Sequence, residues 1–161
     1  GGIQERGRRA GTENVPAIAG LGKAAEIALR DMDTRIKHLS ALRDRLMNGL
    51  DAAIPKLIIN GDRVNRLPGN VHVSIEAIEG ESMLYSLARH GILAASGSSC
   101  ADKALKSSHV LTAIGVPPAL ANASLLFSLG IDTTAGDIDR IVEVMPPIVA
   151  RLRSMSPLWQ G

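Results

Sequence analysis

Asn70-Val71-His72-Val73-Ser74-Ile75 alternates polar and apolar residues along its whole length, the signature of a strand whose two faces differ. Just upstream, Lys56-Leu57-Ile58-Ile59-Asn60 is a second, chemically different strand, closed by Gly61-Asp62. Further upstream, apolar residues from Val15, Ile18 and Leu21 through Leu42, Leu46 and Leu50 recur at helical spacing. Thr12 can cap that helix, and Pro16 falls in the first turn, where a missing N–H costs little. The pattern allows one break near Asp33, and Pro55 ends it.

Downstream of the alternating strand, Glu79-Gly80-Glu81-Ser82 opens a short helix through Met83, Leu84 and Leu87 to His90-Gly91. Gly91-Ile92-Leu93-Ala94-Ala95 then reads as a strand, and Ser107-Ser108 starts a helix from Val110 to Ile114, stopped by Gly115 with Pro117-Pro118 beyond. Ser124-Leu125-Leu126-Phe127-Ser128-Leu129 is a buried strand, and Thr133-Thr134 cap a last helix from Gly136 to about Met155. Pro146-Pro147 should kink or interrupt that helix, because two successive N–H donors are missing. The order predicts an α/β fold with helices on one face of a small mixed sheet, preceded by a long helix that connects toward another domain.

With 161 residues, 45% of them hydrophobic, the chain can bury one core. The net charge of +2 comes from interspersed signs, and one Phe, one Trp and one Tyr are too few for stacking platforms, so nucleic acid is not implied. One cysteine cannot form an intramolecular disulfide, and no secretory pattern or bilayer-length apolar stretch is present, which points to a reducing, cytoplasmic setting and no membrane. His38, His72, His90 and His109 share no ligand spacing, so no metal site is expected.

That cysteine, Cys100, sits in Ser96-Gly97-Ser98-Ser99-Cys100, too small and polar for a core strand and too rich in Gly and Ser for a helix. It reads as an accessible loop thiol, with Lys103 and Lys106 close behind to favour the thiolate. At the other end, Gly1-Gly2-Ile3-Gln4-Glu5-Arg6-Gly7-Arg8-Arg9-Ala10-Gly11-Thr12 is dense in Gly and Arg, a composition suited to contact with a partner or an anion, or to a solvated terminus.

Three separated stretches, Gln4-Glu5-Arg6 through Arg9-Ala10-Gly11-Thr12-Glu13-Asn14, the Cys100 run, and Phe127-Ser128-Leu129-Gly130 with Thr133-Thr134, resemble the C-terminal, small-domain part of a NifS-like cysteine desulfurase. Asn60-Gly61-Asp62, Pro68-Gly69-Asn70, Glu79-Gly80-Glu81-Ser82 and the closing Leu152 to Trp159 fit the same pattern in the same order. The resemblance is to pyridoxal-phosphate enzymes of the class V aminotransferase group, of fold type I. It implies that residues 1–14 are a remnant of the cofactor domain and a dimer contact, and that 15–161 form the small domain, with the cysteine loop at about 94–108.

The same resemblance makes Cys100 the residue that takes sulfur from L-cysteine as a persulfide, for iron-sulfur cluster or thio-cofactor assembly. It makes Thr12 a ligand of the cofactor phosphate in the neighbouring subunit. The implied partners are a second copy or a cofactor-bearing N-terminal half, and a sulfur acceptor such as an iron-sulfur scaffold docking near the loop and the C-terminal tail. Trp159 suits either such docking or a plug that anchors the final helix.

Two departures accompany the resemblance. The family's Schiff-base lysine and the groups that hold the pyridine ring match nothing from Gly1 onward, so this chain is expected to bind no pyridoxal phosphate by itself and to be inactive alone. Leu126 stands where the family carries an arginine that clamps the substrate carboxylate, and Ile131-Asp132 replaces a commonly basic and aromatic pair. Leu126 opens an alternative, a non-catalytic interaction relative that has lost substrate binding. A selenocysteine lyase-like relative is the third possibility.

Overall fold

The computed structural model describes residues 1–96 and 107–160. The chain divides into two compact units, Gly1–Arg35 and Ile36–Gly161, with the division falling inside one helix, α1 (Val15–Ala53). This helix is continuous through Asp33, where the pattern allowed a break.

In the first unit, a short 3₁₀ turn, Glu5–Gly7, holds Glu5 and Arg6 at φ values of 53° and 57°, and Gly7 follows at 79°. Gly11 has a φ of 90°, a conformation that glycine adopts without a Cβ penalty. The start of α1 differs from the sequence expectation. Asn14 Oδ1 accepts the Ala17 N–H at 3.1 Å, so Asn14 is the cap in place of Thr12. Val15, Ile18, Leu21 and Leu29 on this part of α1 are all exposed.

The second unit is organised around a three-stranded sheet in the order β1 (Leu57–Ile59), β2 (Asn70–Ile75), β3 (Ser124–Ser128). Both pairings are antiparallel, which corrects the expected mixed sheet. Period-two alternation sends Val71, Val73 and Ile75 of β2, with Leu125 and Phe127 of β3, into one buried cluster. Leu42, Leu46 and Leu50 of α1 join it, one helical turn apart, as do Met83 and Leu87 of α2 (Gly80–Ala88).

The expected strand at Gly91–Ala95 contracts to a single antiparallel bridge, Ala95 to Leu126. The cause is local: α2 closes with Gly91 at a φ of 74° and with the Ile92 N–H on the Leu87 carbonyl at 3.1 Å, which turns the chain back over the helix end. The helix expected from Val110 is α3 (His109–Ala113), capped by Ser108, and the Pro117-Pro118 stretch opens a further short helix, α4 (Pro118–Asn122), because proline suits a first helical turn.

The last helix, α5 (Ala135–Ser154), begins with a reciprocal capping box. The Asp137 N–H donates to Thr134 Oγ1 at 3.2 Å, and the Thr134 N–H donates to Asp137 Oδ2 at 2.8 Å. It continues through Pro146 and Pro147, so the pair does not interrupt it. Ile141, Val144, Met145, Ile148 and Val149 are buried on both sides of the pair, so core packing outweighs a loss of roughly 3 kcal/mol per interior proline.

Trp159 is half-buried and packs on Arg153. Arg153, 5% exposed, donates from Nη2 to the Pro55 carbonyl at 2.8 Å and from Nε to the Glu76 carbonyl at 3.2 Å. Its guanidinium lies 3.9 Å from the Trp159 ring centroid, and Lys56 Nζ lies 4.9 Å from it.

Candidate functional site

The sheet face opposite the core carries the polar residues of β2 and Leu126. His72 lies between Asn60 and Leu126: the Asn60 N–H donates to the His72 carbonyl at 2.8 Å, and His72 is the register partner of Leu126. Leu126 is half-buried. A leucine there offers this face none of the paired donors that a guanidinium would supply.

Around His72 the polar groups form a network. Asn60, only 4% exposed, donates from Nδ2 to Ser74 Oγ at 2.8 Å and lies 2.8 Å from His72 Nδ1. With the amide as donor, His72 Nδ1 is an acceptor and its proton resides on Nε2. Burial, and secondarily the charge of Arg66, lowers the His72 pKa below its ordinary 6.5, so the ring is neutral at neutral pH. Arg66 Nη2 in turn donates to the Asn60 carbonyl at 2.8 Å. The sequence reading considered His72 only as a metal ligand; its place beside Ser74 on one face of the alternating strand was the available signal for this network.

Cys100 lies outside the described residues, as do Lys103 and Lys106. The described ends of the 94–108 stretch are tied to the fold. Leu126 donates its N–H to the Ala95 carbonyl at 2.7 Å and accepts the Ala95 N–H at 3.0 Å. On the return, Ser107 Oγ donates to the Pro118 carbonyl at 3.4 Å, and Ser108 Oγ accepts the Leu111 N–H at 3.5 Å. The described chain before residue 97 is therefore bridged to β3 at Leu126.

Thr12 is exposed in the first unit. Among the described lysines, Lys23 is paired with Glu26 at 2.7 Å and Lys56 with Glu76 at 3.5 Å, while Lys37 is exposed. Lys56 alone among them lies near both an acid and a ring, but it is exposed, that acid is its own ion-pair partner and the ring is already stacked on Arg153, so the described residues do not by themselves fit pyridoxal phosphate. No cluster of metal-ligating side chains occurs among the described residues. No described helix is long and apolar enough to cross a membrane.

An antiparallel three-stranded sheet sharing one buried core with its helices makes the Ile36–Gly161 unit an α/β fold. Residues 3–141 match the model of the family described as Aminotransferase class-V, and the chain belongs to that family. The chain is 54% identical to a cysteine desulfurase of Nostoc sp. over 98% of its length, and 48% identical to the cysteine desulfurase NifS of Azotobacter vinelandii over all of it. It spans about two fifths of the length of these relatives, 39% and 40%. Among solved structures it resembles a NifS-like protein from Rickettsia africae, with a TM-score of 0.79 and 30% identity over 93% of this chain and 39% of that one.

Proposed function

We propose that this chain is the C-terminal, small-domain part of a cysteine desulfurase, with residues 15–161 as that domain and Cys100 as the sulfur acceptor. The observation that carries the reading is the 54% identity to a cysteine desulfurase across 98% of the chain. The anchored ends of the 94–108 stretch support it, since a thiol that receives and then passes on sulfur needs reach from a fixed base. In balance, L-cysteine and the Cys100 thiol give alanine and a Cys100 persulfide: the substrate C–S bond breaks, an S–S bond forms, and a proton takes the place of sulfur on carbon.

Pyridoxal phosphate, which the family implies, belongs in this reading to residues supplied outside this chain. Residues 1–14 then serve as the dimer contact, and Thr12 completes the phosphate site of a neighbouring copy. The partner that removes the sulfur is an acceptor protein such as an iron-sulfur scaffold, in the cytoplasm. The test uses the full-length protein carrying this chain, loaded with cofactor and given L-cysteine. Alanine release that falls to background in Cys100→Ala, with cofactor binding unchanged, supports the role; full turnover by that variant refutes it.

A second reading rests on Leu126, whose side chain removes the carboxylate clamp. An interaction protein that has lost substrate binding would give no alanine, and Leu126→Arg would not restore it. A desulfurase weakened only in substrate affinity would gain activity from Leu126→Arg, because a paired guanidinium-carboxylate contact is worth roughly 2–5 kcal/mol when buried. A selenocysteine lyase-like activity would show as faster selenide than sulfide release from the same preparation.

A further inference from the structure

Between α2 and α5 lies a groove of about 560 Å³ that has no part in the reading above. Its floor is apolar, formed by Val144, Pro147 and Ile148, while Arg89, Arg140 and Arg151 stand along its walls. Glu143 is the one carboxylate lining it, and it is already paired with Arg140 at 2.8 Å. Among the described residues no carboxylate pairs with Arg89 or Arg151. Arg151 reaches only the Ser86 hydroxyl, at 3.5 Å.

The spacing of these cations selects the ligand. Arg140 and Arg151 are eleven residues apart on α5, which returns a helix to nearly the same face about 16 Å further along. Val144, Pro147 and Ile148 fall on the stripe between them. One phosphate cannot span that separation, whereas in an extended peptide residues i and i+4 lie on one face about 13 Å apart, and the long arginine side chains reach the rest.

We propose that this groove binds an extended acidic segment of a protein partner, with two carboxylates four residues apart and an apolar side chain midway between them on the same face. The guanidiniums take the carboxylates and the apolar floor takes the residue between them. The inference concerns the α2–α5 groove alone and does not depend on the sulfur-transfer reading.

The probe is a fluorescently labelled, end-blocked pentapeptide with glutamate at both ends and leucine at the centre, titrated with this chain at low ionic strength and followed by anisotropy. Saturable binding is expected, weakened about three- to fivefold by Arg89→Gln or Arg151→Gln, as for exposed ion pairs, and reduced further by salt. Glu143→Gln, which removes the competing carboxylate, is expected to tighten binding about twofold, a gain that misfolding cannot mimic. Absence of saturable binding, equal binding of the glutamine-for-glutamate peptide, no tightening by Glu143→Gln, or pyrophosphate binding as tightly as the peptide would each overturn the proposal.

Discussion

Replacing Arg153 by methionine tests how the C-terminal end is held to the core. Methionine keeps much of the apolar stem but leaves the Pro55 and Glu76 carbonyls without the donors that now reach them at 2.8 and 3.2 Å. Each charge-assisted bond is worth about 1.5–3 kcal/mol, and the stack on Trp159 adds roughly 0.5–1 kcal/mol. Desolvation works the other way, and burial lowers the Arg153 pKa from its ordinary value despite the attraction of Glu76. The balance is a loss of about 2–4 kcal/mol, equivalent to roughly 4–16 °C in Tm for a chain of this size. Urea unfolding followed by the fluorescence of Trp159, the single tryptophan, and by circular dichroism measures it. A double-mutant cycle with Trp159→Ala should return a coupling of about 0.5–1 kcal/mol. A loss below about 1 kcal/mol, or strictly additive effects, would refute the reasoning.

Thr134→Ala should cost about 1 kcal/mol by opening the capping box on α5, read as a lower urea midpoint with an unchanged slope. For His72, the folded pKa lies below the ordinary 6.5, so the unfolded chain binds the proton more readily. Its contribution to stability is therefore present above about pH 6.5 and is lost as pH falls through that value toward the folded pKa. Unfolding free energies measured between pH 7.5 and 5 should show that decline, and His72→Gln should flatten it.

Much of the fold was legible because single elements carried their own signals. Alternation in Asn70–Ile75 identified the central strand, and Leu42, Leu46 and Leu50 marked the buried end of the long helix. The errors came where tertiary or capping chemistry overrode local pattern. Gly91 closed a helix and consumed the start of a strand, Asn14 took the cap assigned to Thr12, and buried neighbours carried α5 through two prolines. Strand direction was not legible, because the pairing partners of β1 and β3 are set by contacts far apart in sequence. At the site, the position of Leu126 followed from the motif around it, but its pairing with His72 and the Asn60 network needed the register.

The central claim is that Cys100 carries sulfur. Mass spectrometry of the full-length, cofactor-loaded protein after a brief exposure to L-cysteine, with thiols trapped by alkylation, tests it most directly. The account predicts one extra sulfur atom on the peptide containing Cys100, with alanine formed in step. Alanine formed while that peptide stays unmodified at every time point would contradict it.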